Sequence, residues 1–156
     1  MSTGKALALG AISGLRSASG PAFVGRAANR GDMDLDGTTL AFLGSPFLSK
    51  ALTLAQLGEL VGDKLPATPS RTAWPPILGR AVSGGLVGAA AFLSDGRRSA
   101  TGAILGSTAA VAAAFAGENL RALVVEKSGL PDLGVAVAED AVVLLVGSRA
   151  TSKAAR

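Results

Sequence analysis

Ser99 to Gly117, SATGAILGSTAAVAAAFAG, is a run of 19 residues without a charge. A helix rises about 1.5 Å per residue, so this run reaches close to the roughly 30 Å hydrocarbon thickness of a bilayer. It has no polar stripe to turn toward water. About 18 uncharged apolar residues is the length at which a segment becomes a candidate membrane span. Two placements satisfy it: a bilayer, or the centre of a soluble, Ala-rich helical bundle.

Composition favours the bilayer. The chain has 156 residues, enough for one domain, with 49% hydrophobic and 17% charged residues. An ordinary soluble domain carries roughly 25% charged residues. The apolar residues are mostly small, with 21 glycines and 4% aromatics. A soluble core gains stability from buried apolar area and needs large side chains. Helices in lipid associate through close backbone approach at small residues. The expectation is a single transmembrane domain over residues 1–156: all-α, a small polytopic helix bundle in a cell (inner) membrane.

His, Cys and Tyr are absent. This removes disulfides, thiolates, imidazole bases and most metal sites, so no metal, cofactor or enzymatic activity is expected. The net charge of +4 comes from scattered basic residues. They form no stripe beside aromatics, so nucleic acid is not an expected partner. Lys5 before an apolar run loosely resembles a signal peptide, but Arg16 interrupts the run, which reads instead as a first helix.

Five apolar segments follow: Lys5–Val24, Thr38–Val61, Pro75–Leu93, Ser99–Val125 and Leu133–Gly147. Connections rich in Gly, Pro and charge separate them. Only the fourth strictly passes the span-length test. The others are cut by one charge or are short, the fifth being a tilted span, a re-entrant piece or a buried helix. Four to five segments thus make the bundle, and Pro46 is expected to break the second. A basic tail, residues 149–156, follows the last. With five spans, Arg26, Arg30, Arg97, Arg98, Arg149, Lys153 and Arg156 share one side, and Lys5, Lys64, Arg71 and Lys127 the other. The positive-inside rule then puts the C-terminus in the cytoplasm.

Gly10/Gly14, Gly58/Gly62, Gly84/Gly88 and Gly102/Gly106 are Gly-xxx-Gly pairs, one in each of the first four segments. Each pair shares a helix face and is expected to pack helices within the chain or in a homo-oligomer. An internal echo accompanies them. Leu57, Leu60, Val61, Asp63 and Lys64 match Leu120, Leu123, Val124, Glu126 and Lys127 at one offset, and LGAISG (9–14) resembles LGRAVSGG (78–85). Segments one and two thus read as repeated in three and four, over residues 5–66 and 75–131. Chance likeness in Gly/Ala-rich sequence is the alternative.

The embedded charges are the candidate site. Glu59 and Asp63, four apart, share a helix face beside Lys64. Asp63 and Lys64 fit a helix leaving the membrane, whereas Glu59 lies a turn deeper. Arg16, Lys50, Arg80, Glu118, Asn119, Arg121, Glu139 and Asp140 complete the set of polar groups in or near spans. Such charges are costly in lipid and turn toward protein or water. They form either a closed ion-pair network or a pathway for an ion or small polar solute. Glu59 and Arg80 stand at similar depth on consecutive helices and are expected to pair directly or through one water.

GLRSASGP (14–21), ELVGDKLP (59–66), PSRT (69–72) and ILGRAVSGGLVGAA (77–90) together resemble a bacterial membrane-protein family catalogued as domain of unknown function 4126. The likeness covers roughly residues 8 to 148. It departs where Leu65 intervenes before Pro66, and where Thr68 or Ser70 replaces an expected acidic residue. The resemblance implies an integral membrane protein and brings no activity with it. Three functions remain in competition: a small transporter or channel-like protein, a structural protein forming homo-oligomers through Gly/Ala faces, and an intramembrane enzyme relying on Glu59 and Asp63.

Overall fold

The computed structural model describes residues 2–62, 72–129 and 131–152. Its helices are α1 (Ser2–Leu15), α2 (Ser19–Asn29), α3 (Pro46–Gly62), α4 (Trp74–Leu93), α5 (Ser99–Ser128) and α6 (Asp132–Thr151), with a 3-10 turn at Ala41–Gly44. Among the described residues there is no strand.

The centre is made by α1, α4 and α5, which meet through their backbones. Gly10 and Gly14 lie on Gly106 and Ala110, and Gly84 and Gly88 lie on Gly106 and Gly102. A Cβ at any of these glycines would come within 3.0 Å of a neighbouring backbone. Three of the four Gly-xxx-Gly pairs therefore hold helices together. For the fourth, a Cβ at Gly58 or Gly62 would meet nothing among the described residues within 4 Å.

Only Gly102, Gly106, Ala110 and Ala114 of α5 are buried, every fourth residue along one face. Ile104, Phe115, Leu120 and Leu123 point outward and are exposed. Small residues inside and large apolar ones outside is the arrangement expected in lipid and the reverse of a soluble core. Both α4 and α5 are long and apolar enough to cross a membrane.

The first segment departs from expectation. It is not one helix: it breaks at Arg16–Ala18, and α2 runs back beside α1. The antiparallel contact is direct, since a Cβ at Gly20 would collide with the Ser13 side chain and crowd the Leu9 carbonyl. The sequence RSASGP explains the break. Pro21 has no N–H to donate and fits only a first turn. Ser and Gly favour non-helical backbone just before it.

The return of α2 sets the arrangement of the bundle ends. Ser2 bonds Asp95 at 2.7 Å, placing the start of α1 beside the end of α4. A cleft lined by Gly4, Lys5, Val146 and Arg149 joins the start of α1 to the end of α6. Another, lined by Arg26, Arg30, Ser148 and Thr151, joins the end of α2 to the same place. Lys5, Arg26, Arg30, Lys50, Arg97, Arg98 and Arg149 therefore share one end, called here the basic end. Lys5 had been expected opposite the others.

The second segment is broken at Ser45–Pro46, as expected. Pro46 starts α3, where its missing N–H would have had no helical partner in any case. Residues 38–45 lie before that helix, and Lys50 is exposed in its first turns. The last segment extends to 20 residues as α6, so Arg149–Thr151 are helical, and its Gly147 admits the ring of Phe23. Helices α1 and α4 run in opposite directions while α3 and α5 run the same way. The two repeat units read from the sequence therefore do not correspond helix for helix.

Candidate polar site at the tip of a broken helix

Helix α1 has 14 residues and so carries the tip about 21 Å from the basic end. Helix α1 finishes there and α2 starts. The C-terminal carbonyls of one and the N-terminal N–H groups of the other lack partners within their own helices. Partial negative and partial positive charge therefore meet at Arg16–Ala18.

Side chains from three other helices complete this tip. Glu59 of α3 accepts from the Ser17 N–H at 2.7 Å and the Ser17 hydroxyl at 2.8 Å. Its other oxygen accepts from the Ala18 N–H at 2.7 Å. Ala18 has no cap of its own, so Glu59 serves as a helix cap supplied from elsewhere in the chain. On the opposite helix end, Arg80 of α4 donates from Nε to the Gly14 carbonyl at 2.9 Å. The Ser83 hydroxyl donates to the Ser17 carbonyl. A cation thus meets the negative end of α1 and a carboxylate the positive end of α2.

The two charges also face each other, with Arg80 Nη2 3.9 Å from Glu59 Oε1. The expected pairing is present, and both residues also bond the tip at shorter distances. Arg16, fully buried, turns the other way. It donates from Nε to Asp140 of α6 at 2.8 Å, with Nη2 at 2.7 Å from the same oxygen. Arg16, Glu59, Arg80 and Asp140 therefore gather at one level, contributed by the tip, α3, α4 and α6.

The other sequence candidates separate from this group. Arg121 makes a two-pronged pair with Asp132 at 2.6 and 2.7 Å and stands 3.8 Å from Glu139. That cluster joins α5 to α6 near the end opposite the basic one. Glu118 is half-buried two turns beyond Ala110, and Asn119 is exposed. Asp63 and Lys64 lie outside the described residues.

Sequence reasoning missed Ser17, Ala18 and Ser83. The break that makes Ser17 and Ala18 important was signalled by Ser-Ala-Ser-Gly-Pro, whose turn chemistry is plain once the run is not treated as one helix.

Among the described residues no group of three metal-ligating side chains is found. A family model described as domain of unknown function 4126 matches residues 4–152. No curated protein and no solved structure matches the chain.

Proposed function

We propose that this chain, which belongs to the family of domain of unknown function 4126, is a multi-pass membrane protein whose hairpin tip handles an ion or small polar solute, as a small transporter or channel-like protein. The observation that carries the reading is Glu59 on the N–H groups that open α2. The N-terminus of a helix is a ready anion site. Broken helices whose ends meet inside the membrane are a recurring way to bind solutes and coupling ions. Here a tethered carboxylate occupies the anion position and Arg80 the cation position. A small anion competes with Glu59, and a cation competes with Arg80.

In this reading α3, α4, α5 and α6 cross the bilayer, and α1–α2 enters and leaves from the basic end. The positive-inside rule puts that end, with the start of α1 and the end of α6, in the cytoplasm. The chain lacks Cys, so single-Cys variants report sidedness directly.

A second reading is structural. The short Arg16–Asp140 bonds and the three bonds on Glu59 favour a closed network. The exposed Leu54 and Leu57 beside Gly58 favour a packing face for a second copy. Reconstitution into liposomes separates the two. Ion- or proton-dependent flux that disappears in Glu59→Gln supports transport. Silent vesicles across protons, sodium, potassium and chloride, together with a defined cross-linked oligomer, support the structural role.

A further inference from the structure

A second cationic feature lies away from the tip, at the basic end. Arg26 in the last turn of α2 and Arg30, its C-terminal cap, face Lys50 of α3 across a cleft of about 400 Å³. Ser49 and Thr53 add hydroxyls and Leu54 closes one side. Arg26 is held in place by neutral groups only. Its Nη1 donates to Thr53 at 3.2 Å and to Gln56 at 2.9 Å, and its guanidinium stacks 4.6 Å from the Phe23 ring centre.

The charge balance here differs from that at the embedded cations. Lys5, Arg16, Arg80 and Arg121 each have a carboxylate within 4.0 Å. Among the described residues, Arg26, Arg30 and Lys50 have none. The nearest acid in sequence, Asp32, lines the adjoining cleft on the other side of Arg26 and Arg30. Three like charges around one cavity repel unless an anion lies between them. Arg with Lys is the donor set suited to phosphate oxygens, Arg binding in a fork and Lys as a point charge.

We infer that this cleft binds a phosphoryl group. The exposed Phe47 and Leu54 on the outer face of α3 give a lipid's chains a surface to follow while its head group fills the cleft. Basic pockets beside helices at the cytoplasmic face are suited to anionic head groups. The lipid form of the inference rests on the membrane reading. The phosphate chemistry does not.

The test uses full-length protein in detergent and in phosphatidylcholine nanodiscs with or without phosphatidylglycerol. Native mass spectrometry reads retained lipid, and thermal unfolding in detergent reads protection by inorganic phosphate. Arg30→Gln or Lys50→Gln each removes a charge-assisted bond to the phosphoryl oxygens and should lower phosphatidylglycerol retention about tenfold. Arg98→Gln, exposed at the same end outside the cleft, should leave it unchanged. Retention lost in the cleft variants without protection by phosphate assigns the site to lipid. Protection by phosphate that these variants abolish assigns it to a free phosphate group, whether or not the protein needs a bilayer. Phosphatidylglycerol retention unchanged in both cleft variants, with no phosphate protection, overturns the inference. So does an equal loss in Arg98→Gln.

Discussion

Replacing Glu59 by Gln tests the tip most directly. The side chain is only 14% exposed, so its interactions are largely shielded from water. The amide keeps one accepting oxygen and replaces the other with an NH2 group that donates. One of the Ser17 or Ala18 N–H groups therefore loses its partner, at about 1–3 kcal/mol. The negative charge at the start of α2 is also lost, worth up to about 2 kcal/mol when partly buried. Together these predict a destabilisation of about 2–4 kcal/mol, well above the 0–1 kcal/mol typical of an exposed pair. Arg80→Gln removes the Gly14 bond and the facing cation and should cost a similar amount. Because the two charges are 3.9 Å apart, the double variant should recover about 0.5–3 kcal/mol of the summed loss. Unfolding followed by circular dichroism in detergent gives the energies, and hydrogen exchange at Ser17 and Ala18 gives the location. Losses that add within about 0.3–0.5 kcal/mol, or unchanged protection of those two amides in Glu59→Gln, would refute the reasoning.

Asp140→Ala removes the carboxylate bonded to fully buried Arg16 and should cost about 3–5 kcal/mol in the same unfolding assay. Arg121→Gln, whose Asp132 partner is largely exposed, should cost no more than about 1 kcal/mol. Gly106→Leu, and more mildly Gly88→Leu, should lower the melting temperature sharply by forcing α1, α4 and α5 apart, whereas Gly58→Ala should be neutral or stabilise by about 0.4–1 kcal/mol. In sealed vesicles, Gly4→Cys and Ser152→Cys should be labelled from the same side and Ser128→Cys from the other. Labelling of Gly4→Cys and Ser152→Cys from opposite sides would restore a continuous first helix.

The helical architecture was legible because its signals are local. The charge-free run at Ser99–Gly117 gave α5 from its first residue, and connections rich in Gly, Pro and charge marked its ends. Most Gly-xxx-Gly faces were legible too, since the four-residue spacing puts both glycines on one side whatever they meet. Which pairs were used was not, because Gly58 looks the same as Gly84 until a neighbour is in place. The direction of α2 was hidden for a different reason. Apolar sequence stands on both sides of RSASGP, and a count of apolar residues does not register a reversal. That error carried Lys5 to the wrong end. Glu59 and Arg80 were found through charge in an apolar setting, but both also bond backbone groups, which every residue possesses and no composition reveals.

The backbone contacts around Gly106 also decide which parts of this molecule can move. Where helices touch through side chains, a change of rotamer absorbs a small slide. Gly10, Gly84 and Gly106 have no rotamers to change, and the carbonyls they press against are fixed by their own helices. Helices α1, α4 and α5 therefore behave as one stiff keel. Any working stroke must come from α3 with α2, or from α6, swinging against it, and both carry a charge to the tip through a single side chain, Glu59 or Asp140. Spin-label distances between α1 and α5 should stay constant under every condition that shifts those from α5 to α3 or α6, and a change within the keel would show that the glycine contacts give way.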